Sequence, residues 1–183
     1  MGFVSFVQAR LQYKAMRSAS DFAGAAQDGG AVRAMGSPAE SGASLGEALA
    51  DVPQDLSLPP GASFRVVVYG RARELRAGVC EEVYRIAREA IINAYRHSRA
   101  RHIEAEIEYR SSGLRVAVRD NGCGIDAREL ESGRNGYWGL RGMRDRARRI
   151  SAQLSLFSRV ARGTEVELRV PDRVAFKQSV SFR

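Results

Sequence analysis

EVYRIAREAIINAYRH, residues 82–97, decides how the rest of the chain is read, together with RDNGCGI at 119–125. Placed on a helix at about 100° per residue, Val83, Ile86, Ala87, Ala90, Ile91 and Ala94 form one apolar arc. Glu89, Asn93 and His97 recur every four residues along the border of that arc. A helix that needs only a core face has no use for a carboxylate, a carboxamide and an imidazole in line at its edge. Alone, the ridge is better read as a capping or surface ridge, so its meaning depends on what surrounds it.

Outward from the helix, FRVVVYG (64–70) is a β-branched run closed by Gly70 and reads as a strand, with the helix itself starting near Ala77. HIEAEIEY (102–109) alternates, placing Ile103, Ala105, Ile107 and Tyr109 on one face; SSG (111–113) is a turn, and LRVAVRD (114–120) alternates again. Both strands carry charge on their second face, so one side of the sheet is expected to be wet or covered by polar groups. NGCGIDARELESGRNGYWG (121–139) holds five glycines and is long for a connection, as lids and disordered segments are. LRGMRDRARRI (140–150) is a helix with Leu140, Met143, Ala147 and Ile150 inward and five arginines toward water; QLSLFSRVARGTEVELRVP (153–171) is a second hairpin turning at Arg162–Thr164.

The order strand, helix, hairpin, long loop, helix, hairpin predicts an α+β fold, a two-layer sandwich with helices on one face of a mixed, mostly antiparallel sheet. Before it, residues 3–35 read as a weak helix with Val4, Val7 and Leu11 on one face. That stripe is too small to fold alone and is expected to pack on another helix, a second copy of the chain included. LGEALADV (45–52) is a short helix ended by PQDLSLPPG, and DRVAFKQSVSFR (172–183) has no pattern and is expected to be loose. The expected division is 1–58, a helix remnant and linker; 59–171, the domain; and 172–183, a tail.

The formal charge of +8 rests on 29 Lys and Arg against 21 Asp and Glu, without a block of like charge or aromatics interleaved with arginine. Direct nucleic-acid binding is therefore not expected, and an acidic partner or phosphate ligand suits the excess at least as well. Cys80 and Cys123 have neither CxxC nor His-rich context, which points to a reducing cytoplasm. The first residues lack a charged leader and cleavage pattern, and no apolar run approaches the ~20 residues that cross a bilayer, so a chain without a membrane segment is expected.

A nucleotide site needs a pocket for the base, groups for the phosphates and a hard oxygen ligand for magnesium. Asp120, at a strand end, can accept a hydrogen bond from an exocyclic amine, and Gly122 and Gly124 let backbone approach a ring; the same residues also read as an ordinary Asp-Asn-Gly turn. Gly133, Gly136, Gly139 and Gly142 surround a helix start, where backbone amides between Gly139 and Gly142 can meet phosphate, joined by Arg141 and Arg144. The spacing is neither GxGxxG nor a P-loop. Asn93 can offer a carboxamide oxygen to Mg²⁺, Glu89 can support the metal shell, and His97 is either a phosphate contact or a packed core histidine. Thr164, after Gly163 in the last hairpin, is structural or ligand-binding.

Together these segments resemble the nucleotide-binding family that joins gyrase, a heat-shock chaperone, histidine kinases and a mismatch-repair ATPase, built on the Bergerat fold. REAIINAYRHS (88–98) is similar to its N box, DNGCGI (120–125) to its G1 box, GYWGLRGM (136–143) to its G2 box and GTEVEL (163–168) to its closing GT motif. The wording is most similar to sensor histidine kinases whose response regulators carry helix-turn-helix DNA-binding domains. The resemblance implies ATP and Mg²⁺ as cofactors, Asp120 on the adenine amine, Asn93 on Mg²⁺ and residues 126–138 as an ATP lid. It places Gly122, Gly124, Ile125, Gly136, Gly139, Leu140 and Gly142 around the nucleotide, with Gly139 and Leu140 by the phosphates and Thr164 near the adenine. Glu89 matches the water-activating position of the ATPase members and is here expected in the metal shell.

One departure from the family matters. Such kinases carry a phosphoacceptor histidine on a dimerisation hairpin, whereas the two histidines here, His97 and His102, fall inside the ATPase-like part. FVQARLQYKA (6–15) looks like the second helix of that hairpin, which implies a truncated kinase that would phosphorylate a histidine supplied in trans. The alternative is a non-catalytic or anti-sigma-like ATP-binding regulatory module.

Overall fold

A computed structural model describes residues 43–55, 62–126 and 138–178, together with Pro38. Its elements are α1 (Leu45–Asp51) running into a 3-10 turn (Val52–Asp55), β1 (Ser63–Tyr69), α2 (Ala77–His97), β2 (His102–Arg110) and β3 (Gly113–Asp120). α3 (Trp138–Arg149), β4 (Gln153–Arg159), β5 (Gly163–Pro171) and the single turn α4 (Asp172–Ala175) follow. The predicted strand, helix, hairpin, helix, hairpin order holds. The weak helix expected over 3–35 and most of the expected lid, 127–137, lie outside the described residues.

The five strands form one sheet in the order β1-β2-β3-β5-β4, with β1 parallel to β2 and every other pair antiparallel. The single parallel pair follows from connectivity: α2 carries the chain from the end of β1 back to the start of β2, a crossover no tight turn could make. Alternation then fixes the faces. Ile103, Ala105 and Ile107 of β2, Leu114, Val116 and Val118 of β3, and Leu168 and Val170 of β5 are all buried, under α2 and α3. α2 answers with Val83, Ile86, Ala87, Ala90, Ile91 and Ala94, the whole predicted arc, and α3 with Met143, Ala147 and Ile150. α1, held by a reciprocal Ser44–Glu47 capping box, adds Leu45 and Leu49 to the same core. Among the described residues no helix is long and apolar enough to cross a membrane.

The opposite face of the sheet is charged, as the alternation predicts, but its centre is not wet. Arg115 is only 8% exposed and bonds four carboxylates, those of Glu106, Glu108, Glu165 and Glu167. Arg119 bridges Glu106 at 3.2 Å and Glu165 at 2.7 Å, and Arg65 and Arg169 extend the lattice through Glu104 and Glu167. Burial alone would raise the carboxyls of Glu106 and Glu167. Hydrogen bonds, from Arg115 and Arg119 at Glu106 and from Arg115 and Arg169 at Glu167, together with the neighbouring guanidinium charge, hold both below the usual carboxylate range. A carboxyl depressed in the folded state stabilises it above the unfolded pKa and loses that contribution as pH falls through the folded value. Unfolding free energy from urea titrations is therefore expected to be flat near neutrality and to decline below about pH 4.5, the ordinary glutamate range; stability that rises on acidification over that window would contradict the lattice's role.

Three details differ from the sequence reading. The segment after 171 is not loose through residue 177. Ala175 and Phe176 are buried, Phe176 bridges to Leu75, and Lys177 N donates to Glu74 O at 3.0 Å. Arg73 lies over the Phe176 ring at 3.7 Å, and Arg76 donates through Nε to Phe176 O. One buried aromatic thus straps the chain end to the start of α2. The last hairpin turns at Val160–Arg162 rather than Arg162–Thr164, because Ala161 takes the left-handed conformation (φ 59°), Gly163 already pairs with Arg159 of β4 and Thr164 with Asp120 of β3. Not all the α3 arginines face water freely: Arg146 and Arg149 reach across to Glu82 of α2 at 3.2 and 3.1 Å.

Candidate functional site

The layers part at one end of the sheet, where β3 stops at Asp120, α2 stops at His97 and α3 begins. A cavity of about 340 Å³ opens there. Its apolar walls come from Ala90 and Ala94 of α2, Val118, Leu156 and Val166 of the sheet, and Leu140 and Met143 of α3; its polar groups are Asn93, His97, Ser98, Asp120 and Thr164. A small, mostly apolar pocket with a few converging polar groups is the usual form of a small-molecule site.

Asp120 sits at the end of β3, paired with Ile103 on one side and Thr164 on the other. Its carboxylate accepts from Gly122 N at 2.8 Å. Burial pushes its pKa upward; bonds from the Gly122 and Thr164 amides and from the Ser98 hydroxyl pull the other way without cancelling the rise. Ser98 has one proton, shared between Asp120 and Ala94 O at 2.6 Å. The Asp-Asn-Gly turn and the cavity share one carboxylate: Asp120 closes the turn by accepting from Gly122 N and also lines the cavity, while Asn121 Oδ1 ties the loop to the start of β2 by accepting from Arg101 N at 3.0 Å and His102 N at 2.9 Å.

The glycines of the loop serve contacts. Gly122 does not line the cavity but lies against Ser98, whose carbonyl a Cβ would strike, and Cys123 N bonds that same carbonyl at 2.7 Å. Gly124 combines φ 66° with contact to Arg159 O and, with Ile125, forms part of the wall. Gly139, the second residue of α3, meets two of the three members of the α2 ridge: a Cβ there would collide with Glu89 Oε1 and lie 3.2 Å from Asn93 Nδ2. Glu89 is thus beside the cavity rather than in its lining. His97 is exposed at the rim and lines the cavity, so it is not a packed core histidine. Gly142 does not reach the wall and a side chain there would meet open space, and Gly136 lies outside the described residues.

The structure therefore gathers Asn93, His97, Asp120, Gly124, Ile125, Gly139, Leu140 and Thr164, from four separate stretches of sequence, around one space. Sequence reasoning missed Ser98, Cys123, Met143, Leu156 and Ser158. Met143 and Leu156 were visible as apolar positions without a sign that they face a pocket. Ser158, which bonds Ile125 N at 2.8 Å and Thr164 Oγ1 at 2.9 Å, carried no signal, because serine is unremarkable in an edge strand.

Comparison with known proteins agrees with this architecture. The sensor protein VraS of Staphylococcus saprophyticus is 32% identical over 130 residues, 70% of this chain and 35% of VraS. The signal transduction histidine-protein kinase/phosphatase DegS of Bacillus subtilis is 30% identical over 89 residues, 49% of this chain and 23% of DegS. The matched regions thus span about a third or less of these relatives. Among solved structures, the histidine kinase domain of the Erythrobacter litoralis EL346 blue-light activated histidine kinase superposes with a TM-score of 0.59 at 20% identity, covering 69% of this chain and 58% of that one. The ATP binding domain of PrrB from Mycobacterium tuberculosis gives 0.52 at 20% identity, covering 70% and 90%. The family described as histidine kinase-, DNA gyrase B-, and HSP90-like ATPase matches residues 78–174, more than half of the chain. With the α+β sandwich and the cavity at its open end, this places the chain in the histidine kinase-, DNA gyrase B- and HSP90-like ATPase family, as an ATPase domain homologous to those of sensor histidine kinases.

Proposed function

We propose that the cavity holds ATP and that the chain delivers its γ-phosphate to a histidine supplied in trans by a dimerisation hairpin, upstream of a helix-turn-helix response regulator. The observation that carries this reading is the meeting of Asn93, Asp120 and Thr164 in one pocket although some seventy residues of sequence separate the outer two. Asp120 accepts the adenine amine between apolar walls that exclude water, Thr164 stands beside it, and the Gly124–Ile125 backbone bounds the ring. Asn93, His97, Gly139 and Leu140 form the phosphate side, with residues 126–138 as the lid. Asn93 and Glu89 meet at Gly139, Glu89 through Oε1 and Asn93 through Nδ2, so a carboxamide turned about its last bond would bring a second oxygen there, which suits a cation that takes few protein ligands and completes its shell with phosphate and water. Mg²⁺ held there would neutralise phosphate charge. On this reading the protein works in the cytoplasm, residues 59–171 are the ATPase domain, and residues 3–35 mediate a homodimer.

A second reading is favoured by the two histidines. His97 lines the pocket and His102 is in β2 with its Nδ1 2.8 Å from Ser63 Oγ, so neither stands on a helical dimerisation hairpin as an acceptor. A regulatory ATP-binding module of the anti-sigma kind would need no acceptor. Mixing the protein with a separate histidine-bearing dimerisation hairpin and γ-labelled ATP separates the two. Label on the hairpin histidine is the expected result; ATP binding without any transfer would instead establish the module.

A further inference from the structure

We infer that Ser158 is the positioning residue of the base-recognising end of the pocket, setting the direction of the Thr164 hydroxyl and with it the choice of base; this rests on the nucleotide reading above. The Ser158 hydroxyl meets three groups: Ile125 N at 2.8 Å, Thr164 Oγ1 at 2.9 Å and Gly163 O at 3.2 Å. A hydroxyl has one proton and two lone pairs. Ile125 N–H can only donate and Gly163 O can only accept. All three contacts are hydrogen bonds at once in one arrangement: Ser158 donates to Gly163 O and accepts from Ile125 N and from the Thr164 hydroxyl.

The proton of Thr164 is then committed to Ser158, and Thr164 offers the cavity only lone pairs. Thr164 pairs across the sheet with Asp120, whose carboxylate also accepts. Two acceptors side by side select a ring edge bearing N–H, the exocyclic amine of an aminopurine. A carbonyl oxygen at the same place would face both acceptors with no proton between them. The same serine holds the Ile125 amide, so one side chain fixes the wall on which the ring lies and the polarity of its edge.

Calorimetric titration of the full chain with Mg-ATP and with Mg-ITP, whose base has a carbonyl where adenine has the amine, tests the assignment. Wild type is expected to prefer ATP. Ser158→Ala frees the Thr164 proton to turn into the cavity, and the ATP-to-ITP affinity ratio is expected to narrow by about 3- to 10-fold, the worth of one neutral hydrogen bond. Ser158→Thr, which keeps the hydroxyl, is expected to restore the ratio. An unchanged ratio in Ser158→Ala, including a parallel loss of both affinities, overturns the assignment and leaves Ser158 a merely structural residue. Should Ser158→Ala not fold, Thr164→Val removes the same acceptor from the other side, and an unchanged ratio there overturns it equally. Failure of the wild type to bind either nucleotide defeats the nucleotide reading, and the inference with it; a wild type that binds ATP while the ratio ignores Ser158 defeats the inference alone.

Discussion

Asp120→Asn is expected to weaken ATP binding by about 10- to 100-fold, while the protein folds as well as the wild type or better. The binding loss is that of a charge-assisted hydrogen bond to the base, about 1.5–3 kcal/mol, replaced by an amide that can present its own N–H to the amine. The stability follows from the same burial that raises the Asp120 pKa, because it makes the charged carboxylate unwelcome in the empty pocket. An asparagine oxygen can still accept from Gly122 N. The wild type should also show a pH signature. The ionised carboxylate is the stronger acceptor, so affinity should begin to fall above the ordinary aspartate range as pH is lowered, and the variant's residual affinity should not follow. Calorimetry at several pH values with thermal unfolding of both proteins checks this. An Asn variant that binds like wild type, or that melts well below it, removes Asp120 from the role.

Arg115→Ala is expected to have the largest effect on the fold, a loss of about 3–5 kcal/mol in unfolding free energy and a melting temperature lower by more than about 10 °C. Arg115 is buried among Glu106, Glu108, Glu165 and Glu167, so its removal leaves carboxylates facing one another with little water to screen them. Arg65→Ala, at the exposed rim of the same lattice, is the control and is expected to cost less than about 1 kcal/mol. Equal effects of the two, measured by urea unfolding, would mean that the lattice behaves as an ordinary surface.

The fold was legible because its signals are local and periodic. The α2 arc and the alternation of β2 and β3 each report which side faces the core, and the structure buries the residues they named, Tyr109 only in part. The charged sheet face was legible as polar but not as buried, since alternation records which residues share a face and not how closely long Arg and Glu side chains pack over it. Phe176 was missed for a related reason: a single aromatic in a patternless segment becomes an anchor only through partners a hundred residues earlier. In the pocket, the residues that resembled family motifs converge, whereas Ser98 and Ser158 act through distances no spacing records.

The central claim is that the space between α2, α3 and the end of β3 is the nucleotide site. Following backbone amide resonances during titration with Mg-ATP tests it most directly. The account predicts saturable shifts concentrated at Asp120–Ile125, Gly139–Met143 and Gly163–Val166. No shifts, or shifts centred on the groove of Arg71, Glu74, Arg110 and Lys177 at the other end of the sheet, would contradict it.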